Sequence, residues 1–247
     1  MLFLQAPRVV TSYTDMSQIT TITFFRFSTF RDKYWALSQM YLAHKPLKAT
    51  AGQSFYKLMA SGSGDGFRMF PDFSVSCLLQ VWESQEAADD FFRNSRLFRD
   101  YSAHTTQRWT LYLKCIRSHG TWSKANPFTE DPECEFPDGA QIAVVTRAHV
   151  KWNKRLSFWR YVPHSHPDIS TLKGLVYTKG IGDVPLVEMA TFSLWENLEH
   201  MKAFAYRSEH VEAIKNTTVK RWYTESLFAR FYLQDSEGSW DLAAKQP

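Results

Sequence analysis

The apolar residues of this chain fall into short β-rich runs separated by polar turns, with two helical patterns between them. Thr20–Phe27 and Gln141–Ala148 are crowded with β-branched and aromatic residues and read as strands. Ser54–Leu58 and Gly174–Lys179 predict second strands, closed by the glycine turns that begin at Gly62 and Gly180. Val75–Val81 and Val187–Leu194 predict third strands, and Trp109–Cys115 and Glu225–Leu233 predict last ones. Helices are expected at Phe30–Leu42 and Asn153–Tyr161. Ser84 and Asn197 are N-cap residues for a further helix in each half, with Glu86 and Glu199 in the first turn, where the helix dipole favours an acid. Ser95 and Ser208 cap a second short helical segment. The order is β-α-β-β-α-β, written twice: an α+β chain of tandem ferredoxin-like units, expected to pack as a dimeric α+β barrel-like unit within one polypeptide around an apolar space.

The duplication is also visible residue by residue. Trp82-Glu83 returns as Trp195-Glu196 and Arg108-Trp109 as Arg221-Trp222, both at an offset of 113. Glu86, Phe91, Ser95 and Thr105 match Glu199, Phe204, Ser208 and Thr218, giving 8 identities in 28 positions. Unrelated sequence gives roughly two, so a repeat is the better reading. Gly120-Thr121-Trp122 is answered by Gly238-Ser239-Trp240. The expected organisation is an extension at 1–16, a first repeat at 17–122, an exposed acidic, proline-containing linker at 123–140, a second repeat at 141–240 and a tail at 241–247.

Composition narrows the class. The 247 residues are 44% hydrophobic and 16% aromatic, enough for a substantial core and an apolar cavity or interface. A net charge of +4, scattered along the chain, does not point to nucleic acid. Cys77, Cys115 and Cys134 form no CxxC pair, which excludes a disulfide framework, a zinc ribbon and a ferredoxin-type cluster. No apolar run approaches the roughly 20 residues of a membrane span. A cytoplasmic chain is the expectation.

A repeat supplies its own control: positions that change type between copies are the better functional candidates. His210, Val211 and Ile214 take the places of Leu97, Phe98 and Tyr101 on one helix face. An imidazole on an apolar face needs partners for both nitrogens. It is either a core histidine bonded to a carbonyl or a metal ligand, and a single neutral histidine is the usual proximal haem ligand. His164-Ser165-His166 sits in a Pro-flanked loop without a nearby carboxylate, while His44, His104, His119, His149 and His200 show no motif. Cys77 reads as a small core residue. Arg26 and Arg147 take equivalent first-strand places, either as donors to a bound group or as strand-edge ion pairs. Lys151–Arg160 is a basic, aromatic stretch: a docking face for an acidic protein or anionic membrane, or an ordinary solvated helix.

Several motifs in order make the chain resemble the spheroidene monooxygenase family, from about Thr20 to Trp240. They include Phe25-Arg26-Phe27, Phe55-Tyr56-Lys57, Thr146-Arg147-Ala148, Phe158-Trp159-Arg160-Tyr161-Val162-Pro163, Gly180-Ile181-Gly182-Asp183-Val184-Pro185 and His210-Val211-Glu212-Ala213-Ile214. The resemblance implies a haem b monooxygenase of carotenoid biosynthesis, using O2 and reduced ferredoxin to oxidise carbon 2 of an acyclic carotenoid end to the alcohol and on to the ketone. It implies His210 as the axial ligand of the haem iron. The mechanism expected from these readings places haem between the paired sheets, takes Arg147 or Arg26 as a catalytic donor, and includes transient contact with the inner membrane surface. Thr178-Lys179 departs from the family, whose lysine stands one place earlier. Two other readings remain: a haem lyase of the aldoxime dehydratase type, and a non-catalytic haem or carotenoid carrier.

Overall fold

The computed structural model describes residues 17–62, 71–131, 135–155, 157, 172–183, 188–205 and 222–242. Eight strands close into one antiparallel barrel: β1 Ile19–Arg26, β2 Gln53–Gly62, β3 Pro71–Trp82, β4 Gln107–Gly120, β5 Ile142–Val150, β6 Leu175–Gly182, β7 Glu188–Trp195 and β8 Tyr223–Ser239. Their order around the barrel is β1-β3-β2-β6-β7-β5-β8-β4. Five described α-helices lie outside it: α1 Phe30–Leu42, α2 His44–Lys48, α3 Gln85–Asn94, α4 Arg96–His104 and α5 Leu198–Ala205. The α+β class is therefore as expected, and in each four-strand half the first strand lies between the last and the third.

Local chemistry sets the helix starts. The Thr29 hydroxyl accepts the Asp32 amide at 3.1 Å, the Ser84 hydroxyl accepts that of Ala87 and the Ser95 hydroxyl that of Phe98, both at 3.3 Å. The Asn197 carboxamide oxygen accepts the His200 amide at 2.9 Å. Each satisfies a donor that the first helical turn leaves open.

The barrel interior is solid. Phe24 meets Tyr177 at 5.2 Å, Phe192 at 5.3 Å and Trp240 at 5.9 Å between ring centroids, so side chains of both halves fill the middle. An eight-strand barrel is just wide enough to be filled in this way. The expected apolar space between the sheets is taken up by these rings, and a porphyrin has no room there.

Four further expectations are corrected. Gly180 and Gly182 do not form a turn: they lie in β6, with Gly180 opposite Thr191 and Ala60 opposite Gly182. Segment 123–140 is not simply exposed, because Phe128 is buried against Phe231 at 5.1 Å. The helix expected at Asn153–Tyr161 begins two residues later: Trp152–Lys154 form a 3-10 turn, Arg155 and Ser157 are helical, and 156 and 158–161 lie outside the described residues. Arg26 and Arg147 are not equivalent. Trp82 faces Ile19 across β3 and β1 as Trp195 faces Ile142 across β7 and β5, so counting along β1 and β5 puts Arg147 where Phe24 stands and His149 where Arg26 stands. The same register places Leu227, not Trp222, in correspondence with Trp109. Cys77 is a buried core residue as expected, and burial raises its thiol well above the ordinary value, which keeps it inert.

Candidate functional site

Strand alternation decides what each residue faces. Arg147 points into the barrel, where its side chain is 2% exposed. Its guanidinium pairs with Glu188 at 3.0 Å and with Glu225, and lies 5.8 Å from the Trp122 ring centre. Glu188 also contacts His149 Nδ1 at 3.0 Å, and Lys57 Nζ reaches Asp183 at 2.7 Å. Burial alone would raise the Glu225 carboxyl, but the Lys124 amide and the Arg147 guanidinium bring it down to about 2. Glu188 is raised by burial and by its neighbour Asp183. Asp183 is lowered: its burial is outweighed by hydrogen bonds from Glu188 and Lys57. The two carboxyls thus hold one proton more firmly than either would alone. Sequence spacing missed this cluster because its members come from four strands and the residue that follows β6.

Arg26 lies at the other end of the β4–β8 pair, with its guanidinium 4.5 Å from the ring centre of Trp240. Its Nε and one Nη are buried without a hydrogen-bond partner. The structure therefore does not bring Arg26 and Arg147 together. Arg147 occupies a pairing role between two carboxylates. His210, His164 and His166 lie outside the described residues. His104 stacks on Trp35 at 4.1 Å, and His119 stacks on Phe228 at 5.2 Å.

The outer face of the second half holds a different feature. The inner row Ile22–Leu79–Lys57 corresponds to Val145–Phe192–Lys179, which fixes the match of the two sheets. On the outer side, the row Thr23–Leu78–Leu58 then corresponds to Thr146–Thr191–Gly180. Thr21–Gln80–Tyr56 corresponds to Val144–Ser193–Thr178, and Phe25 corresponds to Ala148. Thus Leu78, Leu58, Tyr56, Gln80 and Phe25 are replaced by Thr191, Gly180, Thr178, Ser193 and Ala148. In the first half these positions are filled and covered: Phe25 packs on Tyr101 at 4.7 Å and on Phe98 at 6.3 Å, both from α4. In the second half the same area is a shelf of short side chains. Its margin is apolar, with Trp195 buried and Phe228 and Tyr232 partly buried.

The shelf is partly open: Thr146 is exposed, and Ala148, Thr178, Thr191 and Ser193 are half-buried. His210 belongs to the chain segment between α5 and β8, as Leu97 belongs to that between α3 and β4. Among the described residues there is no cluster of three or more metal-binding side chains, a requirement that a single axial ligand does not impose. A shallow polar groove of about 230 Å³ beside Ser102, Arg108 and Ser239 falls below the roughly 300 Å³ at which ligand pockets begin.

No family model matches the chain. Among curated proteins it is 33% identical over 223 residues to a spheroidene monooxygenase of Rhodobacter capsulatus, covering 90% of this chain and 92% of that one. The chain belongs to the spheroidene monooxygenase family. A spheroidene monooxygenase of Cereibacter sphaeroides is 32% identical over 226 residues, with 91% of this chain and 69% of its own length covered. One from Rubrivivax gelatinosus is 25% identical over 208 residues, with 84% and 79% covered. Among solved structures, an aldoxime dehydratase in complex with butyraldoxime matches with a TM-score of 0.58 at 8% identity, over 90% of this chain and 82% of that one. A second aldoxime dehydratase matches with a TM-score of 0.58 at 10% identity, over 94% and 89%. These likenesses are of fold alone, and they show that this member of the spheroidene monooxygenase family shares its architecture with enzymes of another name.

Proposed function

We propose that this protein is a haem-dependent monooxygenase of carotenoid biosynthesis that oxidises carbon 2 of an acyclic carotenoid end. O2 supplies the oxygen atom and reduced ferredoxin the electrons. The spheroidene monooxygenase relatives support the reaction class, and the observation that carries the cofactor reading is the shelf. In this reading the outer face of β5, β6 and β7 and the side chain of His210 would hold the haem. Haem bound there supplies O2 activation through its iron.

The chain's own residues have separable roles. Thr146, Thr191, Gly180 and Ser193 leave space for the flat group. Arg147 acts from the inner side as a positioning residue: by tying β5 to Glu188 of β7 and Glu225 of β8, it fixes the register of Thr146 and Ala148 on either side of it. Arg26, at the other barrel end, lies against the Trp240 ring instead. The aromatic margin excludes water from the hydrocarbon. The two halves are read as copies of one ferredoxin-like unit, of which the second keeps the cofactor.

The test is the absorption spectrum of the protein produced with ample haem, wild type beside His210→Ala. A Soret band that the substitution shifts or abolishes is expected. No Soret band in the wild type refutes the haem reading, and an unchanged spectrum in the variant refutes His210 as ligand. Turnover of an acyclic carotenoid only with both O2 and ferredoxin separates a monooxygenase from a lyase and from a carrier.

A further inference from the structure

Helix α1 is apolar on the wrong side. Its inner face packs through Ala36, which is buried, and through the partly buried Trp35 and Met40. Its outer face carries Phe30, Tyr34, Leu37 and Tyr41, spaced i, i+4, i+7 and i+11, which is one stripe along a helix. These side chains are 87%, 68%, 52% and 83% exposed. A helix at the surface of a globular protein ordinarily shows water a polar face, and a contiguous apolar stripe marks an interaction site. Phe73 is also exposed, and the carbonyl of the next residue, Ser74, accepts the amide of Phe27, three residues before the stripe begins, at 2.8 Å.

The charges around the stripe identify what covers it. At about 100° per residue, Lys33 falls about 60° to one side of Phe30 and Arg31 about 100° to the other. Lys45 and Lys48 follow on α2 and are exposed. The acid of this segment, Asp32, is already engaged by Thr29 and by His104 at 2.8 Å. Aromatic side chains between flanking cations match the boundary between headgroups and acyl chains of a membrane with anionic lipid. A second copy of the chain fits less well. The stripe is about 17 Å long on a helix about 10 Å across, far short of the roughly 800 Å² per partner of a stable interface, and it would set cations against cations.

We infer that α1 seats the protein on the surface of an anionic bilayer, with Phe30, Tyr34, Leu37 and Tyr41 inserted among the lipids and Arg31, Lys33, Lys45 and Lys48 against the headgroups. The inference rests on the proposed reading only for its purpose, which is access to a hydrocarbon substrate dissolved in the membrane. It assigns the contact to α1 and not to Lys151–Arg160.

The experiment is flotation of the full-length protein with carotenoid-free vesicles, either of phosphatidylcholine alone or with roughly one-third phosphatidylglycerol. The wild type is expected to float with the anionic vesicles and to be released by high salt. The exposed pair Leu37→Glu/Tyr41→Glu should reduce binding at least tenfold without changing the circular dichroism. Arg31→Gln and Lys33→Gln should each reduce it about fivefold, on anionic vesicles only. Should the glutamate pair disturb folding, Phe30→Ser/Tyr34→Ser replaces it. Absence of binding, or binding indifferent to both pairs, overturns the inference. So does a dimer in sedimentation velocity that either pair splits, because the stripe is then an interface between copies. Oxidation of detergent-dispersed carotenoid, measured separately, tells failure of this inference from failure of the functional reading.

Discussion

Lys57 and Asp183 form an ion pair at 2.7 Å that crosses the seam between β2 and β6, where the two halves of the barrel meet. Lys179, the counterpart of Lys57, crosses in the other direction to Asp72 at 3.1 Å and is wholly buried. Backbone pairing at this seam covers only Ala60↔Gly182 and Ser61↔Ile181, so side chains carry much of the closure. Lys57→Met removes the cation and leaves two neighbouring carboxyls, Asp183 and Glu188, without it. The expected cost is about 2–3 kcal/mol, because removing one partner strands the other's charge. Urea unfolding of the variant beside wild type measures it. A loss below about 0.5 kcal/mol would mean that the seam does not depend on the pair.

Glu225 gives the fold an acid-sensitive element. Its folded pKa of about 2 lies below its ordinary 4.5, so the stability it contributes is complete above pH 4.5 and is lost as the pH falls towards 2. The side chain is 18% exposed and partly screened, so about 2 kcal/mol is expected. Glu188 works the other way. Its pKa is raised, so its protonation accompanies folding and gains weight as the pH falls. Glu225→Gln should therefore be less stable than wild type at pH 7 and should flatten the fall in stability between pH 4.5 and 2. Chemical denaturation across that range reads both effects, and parallel curves for the two proteins would exclude the role.

What the sequence disclosed, and what it did not, follows from the range of the interactions. The start of α5 was legible because Asn197 caps it locally, whereas the Thr29 cap that starts α1 was not among the signals read. Gly180 and Gly182 were misread because closely spaced glycines signal a turn, whereas here they alternate with Ile181 and keep the outer face of β6 low. The equivalence of Arg26 and Arg147 failed because a two-residue shift preserves strand alternation: both still point inward, and only the pairing of Ile19 with Trp82 and of Ile142 with Trp195 exposes the slip. The ionic cluster around Arg147 is assembled from distant strands and leaves no local signal. The shelf was recoverable in principle from Leu78 against Thr191, but only once the register was known.

Filling the shelf tests its purpose independently of the axial ligand. Leu58 and Leu78 show that this sheet architecture accepts leucine at the places held by Gly180 and Thr191. Thr191→Leu and Gly180→Leu should therefore fold, with stability within about 1.5 kcal/mol of wild type, as hydrophobic substitutions at a site with room do. Both should lose haem uptake, measured as Soret absorbance per protein. Retention of a full Soret band in the double variant would remove the shelf from consideration as the haem face.

The barrel is also locked at its two ends by matched glycines. Gly120 and Gly238 have φ of +90° and +95°, and a Cβ on either would stand 2.1 Å from a backbone oxygen, of Ser226 and of Arg108 respectively. Each glycine lets β4 and β8 pass closely and then turns the chain so that a tryptophan comes back over the barrel end: Trp122 over Arg147 and Trp240 over Arg26. The obstacle is rigid backbone, and the conformation is one that side chains other than glycine adopt at a cost. Gly120→Ala and Gly238→Ala are each expected to destabilise by about 3 kcal/mol or more, the range reached when strain and a backbone clash combine. The two should differ in consequence. Gly120→Ala displaces Trp122 from the Arg147 end, on the strand bearing Thr146 and Ala148, and should lower haem retention along with stability. Gly238→Ala acts at the Arg26 end and should lower stability while leaving haem retention per folded molecule unchanged. Thermal melts and Soret absorbance of the soluble fraction distinguish these outcomes, and equal loss of haem in both variants would contradict the assignment of the cofactor to the second half.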